Sequence, residues 1–130
     1  MAARPLRALI LDPYEESAGI IRNHLEQKKV DIVGWAKRGK GWMKLFNEGR
    51  PDLVFVDLML PEKDGIFCIN NLCVQAPGTC CIFTHSFVGE MANNVEQKAL
   101  RAGATAVLQK PFVSSRFNAM IDRFLAIRES

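Results

Sequence analysis

Long apolar stretches are missing from this 130-residue chain. The longest, such as Ala8–Leu11, hold four residues, far short of the ~18 needed to cross a bilayer. The basic start, Met1 to Arg7, is followed by only a few apolar residues before Asp12, which is not a secretory signal. No membrane association is expected, and the expected location is the cytoplasm. Excess charge is scarce too: 17 Lys and Arg against 14 Asp and Glu leave +3, too mild to argue for nucleic acid. The four cysteines (68, 73, 80 and 81) form no Cys-x-x-Cys pair, and His24 and His85 lie at no metal-ligand spacing. They read as reduced thiols, mostly buried as small apolar residues. With 48% apolar and 24% charged residues, neither disorder nor a coiled coil fits. The length suits one domain, residues 1–130, able to fold without staples.

What is present is an alternation. Short apolar runs at Arg7–Leu11, Asp31–Ala36, Leu53–Val56, Thr79–Phe83 and Thr105–Gln109 read as strands. Helix-period segments lie near Glu15–Lys28, Gly41–Glu48, Ile66–Gln75, Glu90–Ala102 and Ser114–Arg128. In the first helix Ile20, Ile21, His24 and Leu25 share a face, and His24 reads as a packed or partly exposed helix residue. In the last, Phe117, Met120, Ile121, Phe124 and Leu125 form a core-facing stripe. Gly49-Arg50-Pro51, Ala76-Pro77-Gly78 and Arg101-Ala102-Gly103 end helices, the last with glycine at the C-cap. Five strands, each followed by a helix through a short connection, imply parallel βαβ units and a doubly wound α/β sheet covered on both faces. Ligands of such sheets bind beyond the carboxyl ends of the strands, where strand order switches.

The residues closing the apolar runs are Asp12, Ala36, Asp57, Thr84 and Lys110, at spacings of 24, 21, 27 and 26. Two carboxylates, a hydroxyl and an ammonium therefore share one rim. Taken singly, each reads as a cap or loop residue; together their chemistry is complementary. Paired carboxylates favour a hard cation such as Mg²⁺, a lysine offsets phosphate charge, and a carboxylate can form an acyl phosphate. Asp57 is the candidate nucleophile, and Thr84 could donate to a phosphoryl oxygen. Leu60-Pro61-Glu62-Lys63-Asp64-Gly65 reads as a turn into the third helix that keeps the loop after Asp57 near the site. Lys110-Pro111 forces a turn, in either peptide isomer.

Pro51-Asp52-Leu53-Val54-Phe55-Val56-Asp57-Leu58-Met59-Leu60-Pro61-Glu62-Lys63-Asp64-Gly65 and Gly103-Ala104-Thr105-Ala106-Val107-Leu108-Gln109-Lys110-Pro111-Phe112 resemble the receiver domain of two-component response regulators, over about Arg7 to Ile127. The resemblance implies a five-stranded parallel sheet in the order 2-1-3-4-5, the flavodoxin-like, CheY-like fold. It implies Mg²⁺-dependent transfer of a phosphoryl group from a phosphohistidine to Asp57, with Thr84 as the switch hydroxyl and Lys110 as the site lysine. It implies metal ligands at Asp12 (directly or through water), Asp57 and the Met59 backbone carbonyl. Expected partners are a sensor histidine kinase or phosphotransfer protein, and a downstream effector or an output domain beyond this chain, in which no effector domain is expected. Such a domain is not an enzyme in the ordinary sense, since it catalyses only its own phosphorylation and dephosphorylation. A homodimer stays open.

Two departures stand out. Pro13 occupies the place of the second acidic residue, so one metal ligand is missing, and weaker Mg²⁺ binding is expected. Val107 stands where the family usually carries an aromatic switch residue, so any readout must use other parts, such as His85 to Ala102. These departures favour an alternative, a phosphorylation-independent pseudo-receiver that acts as an interaction module. A flavin carrier or phosphohydrolase fits less well: Asp12-Pro13-Tyr14-Glu15-Glu16-Ser17 is a poor phosphate loop, and Met59 stands where such hydrolases place a second aspartate. His85 reads as a flexible-loop residue, and Lys37, Arg38, Lys40 and Lys44 beside Trp35 and Trp42 as a solvated loop and helix start.

Overall fold

The computed structural model describes residues 4–62 and 64–129. Met1–Ala3 of the basic N-terminus, Lys63 of the expected turn, and Ser130 lie outside the described residues. The chain alternates β1 (Arg7–Leu11), α1 (Glu15–Gln27), β2 (Asp31–Ala36), α2 (Trp42–Gly49), β3 (Leu53–Asp57), α3 (Gly65–Gln75), β4 (Cys80–His85), α4 (Gly89–Ala102), β5 (Ala106–Gln109) and α5 (Ser114–Glu129). All neighbouring strands are parallel, in the order β2-β1-β3-β4-β5. The chain moves outward from β1 to β2, then returns past β1 to β3, so the order switches between β1 and β3.

Alternation along the strands builds two cores, because successive side chains point to opposite faces. Ile10, Phe55 and Ile82 pack with Ile21 and Leu25 of α1 and with Phe117, Met120 and Ile121 of α5. Phe55 and Phe117 stack with ring centroids 5.6 Å apart. On the other face Leu9, Leu11, Val54, Val56 and Phe83 pack with Trp42 of α2, with Cys68, Ile69 and Leu72 of α3, and with Ala99 of α4. The α5 stripe faces the core as expected, with Phe124 and Leu125 partly buried against the first cluster.

Some boundaries and faces differ from expectation. In α1 the buried face is Ala18, Ile21 and Leu25; Ile20 is turned outward, since a residue one step from Ile21 lies about 100° around the helix. His24 is half-buried against Phe117, with Nδ1 at 2.9 Å from the Ile20 carbonyl. Strand β3 runs through Asp57 itself, and β4 is displaced toward its carboxyl end, through Thr84 and His85, because their pairings with β3 and β5 continue there. Gly103 caps α4 with φ of 115°, a left-handed conformation that glycine adopts without strain. Asp64 caps α3 by accepting the Phe67 N–H at 2.9 Å. Cys68 and Cys81 are buried, Cys73 and Cys80 half-buried, and none of the four is in a disulfide. Among the described residues no helix is long and apolar enough to cross a membrane.

Candidate functional site

Parallel register brings the strand ends level. Leu11 is opposite Val56, so Asp12 leaves β1 beside Asp57, the last residue of β3. Asp57 is opposite Thr84, and His85 is opposite Gln109, so Lys110 leaves β5 one step further on. Backbone bonds hold these ends in place: Asp12 N–H to Ala36 O at 3.0 Å, Leu58 N–H to Thr84 O at 3.0 Å, and Lys110 N–H to His85 O at 2.7 Å. The four expected polar side chains meet at one rim, while Ala36 contributes only its carbonyl.

Lys110 joins them. Its Nζ donates to Asp57 Oδ1 at 2.6 Å, to Asp12 Oδ2 at 2.9 Å and to Ser17 Oγ at 3.0 Å. Asp12 and Asp57 are 1% and 2% exposed, a setting in which a carboxylate must be paired and hydrogen-bonded to stay charged. Thr84 Oγ1 donates to Asp57 Oδ1 at 3.3 Å, and the Met59 N–H donates to Asp57 Oδ2 at 2.8 Å. Asp12 accepts the Tyr14 N–H on Oδ1 at 2.8 Å and the Ser17 hydroxyl on Oδ2 at 2.6 Å. The Trp35 indole N–H, from β2, donates to the Asp12 carbonyl at 2.9 Å.

Local sequence explains the close packing. A Cβ on Gly65 would lie 2.4 Å from the Asp57 carbonyl oxygen, so the loop from Asp57 to α3 closes this tightly only around glycine. Lys110-Pro111 is cis. A cleft of about 560 Å³ opens beside the rim, lined among others by Tyr14, Ser17, Ile20, Val88, Lys110 and Phe112.

The donors suit a hard cation. Asp12 Oδ1 and Asp57 Oδ2 each accept a backbone N–H, and a carboxylate oxygen has capacity for a second partner. Oxygen-only donors of this kind fit Mg²⁺, which keeps several waters and binds through one or two carboxylates. The set is short of a third: Pro13 offers no carboxylate, and among the described residues no group of three or more His, Cys, Asp or Glu side chains is arranged to hold a metal ion.

The response regulator receiver domain profile matches residues 8–122. The chain belongs to the response regulator receiver domain family. Among its relatives, the chemotaxis protein CheY of Bacillus subtilis is 29% identical over 119 residues, 92% of this chain and 97% of that protein. A CheY-like receiver domain protein from Methanospirillum hungatei superposes with a TM-score of 0.82 at 21% identity, over 97% of this chain and 98% of that one. The BeF3-activated receiver domain of DrrB gives 0.81 at 20% identity, over 95% and 99%. These structural likenesses carry the fold.

This receiver places His85 unlike the loop residue expected from sequence. It is the last residue of β4, 1% exposed, with its ring between Phe83 and Phe87. The Phe87 N–H donates to Nδ1 at 3.0 Å, which leaves the proton on Nε2, 2.6 Å from Glu96 Oε2 of α4. Val107 is half-buried against the same face, with no ring to turn inward. Lys37, Arg38, Lys40 and Lys44 are all exposed, as expected of a solvated loop and helix start; Lys37 lies over the Trp35 ring at 4.8 Å, and Arg38 pairs with Glu62 at 3.3 Å. Sequence reasoning missed Ser17, Tyr14 and Trp35 as neighbours of the site. Only the hydroxyl of Ser17, one turn into α1 from Asp12, offered a signal for any of them.

Proposed function

We propose that this receiver accepts a phosphoryl group on Asp57 and signals by protein contact. The observation that carries the reading is the convergence of Lys110 on both Asp12 and Asp57 at a buried rim beside an open cleft. In the reaction an Asp57 oxygen attacks phosphorus as the bond from phosphorus to a donor imidazole nitrogen breaks. The electron pair of that bond stays with the imidazole, and Asp57 becomes a mixed anhydride. Lys110 offsets charge on the phosphoryl oxygens, and the Thr84 hydroxyl donates to one of them. Asp12, Asp57 and the Met59 carbonyl would hold Mg²⁺, which would supply further neutralisation of phosphoryl charge. Pro13, which offers no carboxylate, would make that hold weak. The domain spans residues 1–130 and is no enzyme beyond its own phosphorylation and dephosphorylation. The donor is a sensor histidine kinase or phosphotransfer protein, the output a protein effector, and the setting the cytoplasm.

A second reading, a phosphorylation-independent interaction module, is favoured by Pro13 and Val107. Intact mass after incubation with a small acyl phosphate separates the two. Gain of one phosphoryl group with Mg²⁺, absent in Asp57→Asn, supports the first. No gain, from either this donor or a histidine-phosphorylated protein, supports the second.

A further inference from the structure

Lys110 has three N–H donors, and three oxygens surround it. Two belong to the expected site, Asp57 and Asp12. The third is Ser17 Oγ at 3.0 Å. The Ser17 hydroxyl has a single proton, and its short contact is with Asp12 Oδ2 at 2.6 Å, against 3.3 Å to the Tyr14 carbonyl. Its proton therefore goes to Asp12, and its lone pair receives Lys110. The Tyr14 ring lies 5.1 Å from the same ammonium. Both residues belong to the start of α1, which Ala18, Ile21 and Leu25 anchor in the core. The ammonium thus rests between the two strand-end carboxylates and two residues at the start of α1, the N-cap Tyr14 and Ser17 of the first turn, next to a proline where a carboxylate would otherwise stand.

We propose that Ser17 is a positioning residue of the phosphoryl site. Its hydroxyl fixes the Lys110 ammonium between Asp12 and Asp57, where it meets the incoming phosphoryl group. This role rests on the reading of Asp57 as acceptor. Ser17 acts through Lys110 and Asp12 and need not touch phosphorus. Ser17→Ala removes one acceptor from the ammonium and one donor from Asp12. Ser17→Thr keeps the hydroxyl at a position that lines the cleft.

The test compares wild type, Ser17→Ala and Ser17→Thr in two measurements. The first is the rate of phosphoryl gain from a small acyl phosphate at saturating Mg²⁺. It is expected to fall on the order of tenfold in Ser17→Ala, the size of one lost charge-assisted hydrogen bond, and to recover in Ser17→Thr. The second is the exchange of the Lys110 ammonium protons with solvent, followed by NMR on the unphosphorylated proteins. Exchange is expected to be slow in wild type and Ser17→Thr and faster in Ser17→Ala, a change that a merely structural serine would not produce. A wild type that gains the phosphoryl group while Ser17→Ala matches its rate overturns the role alone, as does unchanged ammonium exchange. A wild type that gains none overturns both the role and the reading beneath it.

Discussion

Lys110 Nζ lies 2.6 Å from Asp57 Oδ1, although 53 positions separate the two residues in the chain. The same ammonium reaches Asp12, so one cation offsets two buried carboxylates. A buried ion pair adds little to stability when compared with a packed apolar core, but breaking one strands a charge. Lys110→Met is therefore expected to cost about 3–5 kcal/mol at pH 7. Part of that loss is expected to return with Mg²⁺, which binds the folded carboxylates and not the unfolded chain. Urea unfolding with and without Mg²⁺ measures both effects. An unchanged midpoint would contradict the pairing.

Gly65 sets how tightly the chain folds back after Asp57. Gly65→Ala puts a methyl group against the Asp57 carbonyl, at 2.4 Å from its oxygen and 2.9 Å from its carbon. Backbone cannot yield as a side-chain tip can, so the turn must open. The expected cost is about 1–3 kcal/mol, with slower phosphoryl gain because the Met59 N–H no longer holds Asp57 Oδ2. Thermal unfolding and intact mass on the same preparation check both.

His85 and Glu96 tie β4 to α4 directly after the Thr84 hydroxyl. Glu96→Ala leaves the buried Nε2–H without its acceptor, an expected loss of about 1–3 kcal/mol. Glu96→Gln keeps an acceptor oxygen and is expected to lose less. Denaturant midpoints of the two variants, measured side by side, decide the order; equal losses would contradict it.

Much of this arrangement could be read from the sequence, for identifiable reasons. Short continuous apolar runs at Leu9 to Leu11 and Leu53 to Val56, the mark of strands buried on both faces, together with the helix-period stripe from Phe117 to Phe124, specify strands and helices locally. Strand-end residues then follow from parallel register, which brought Asp12, Asp57, Thr84 and Lys110 together. What sequence did not show depends on contacts across the fold. Ser17 becomes a neighbour of Lys110, 93 positions away, only through the packing of α1. His85 looked like a loop residue because β4 ends in polar residues; its burial requires Glu96 of α4 and the ring of Phe87. Ile20 differed because the apolar pattern of α1 is wider than the face it buries.

The Cys81 thiol is pushed up to about 12 from an ordinary 9.0, chiefly by burial, with Cys73 and Cys80 adding to it. The folded state therefore holds a proton that the unfolded chain releases. This contribution to stability is fully present below about pH 9 and is lost as pH rises from there toward 12. Cys80 is raised as well, chiefly by burial. At neutral pH Cys81 is expected to resist alkylation in the native protein, while half-buried Cys73 reacts first. Mass mapping of alkylated peptides checks the order, and early labelling of Cys81 would contradict it.

The most direct test of Asp57 as acceptor is to locate the modification. The protein is treated with a small acyl phosphate and Mg²⁺, reduced with borohydride, digested and sequenced by mass spectrometry. Reduction converts an aspartyl phosphate to homoserine, so the expected result is homoserine at position 57 and nowhere else, lost when Mg²⁺ is withheld. An unmodified Asp57, or homoserine at Asp12 instead, would contradict the assignment of Asp57 as the phosphoryl acceptor.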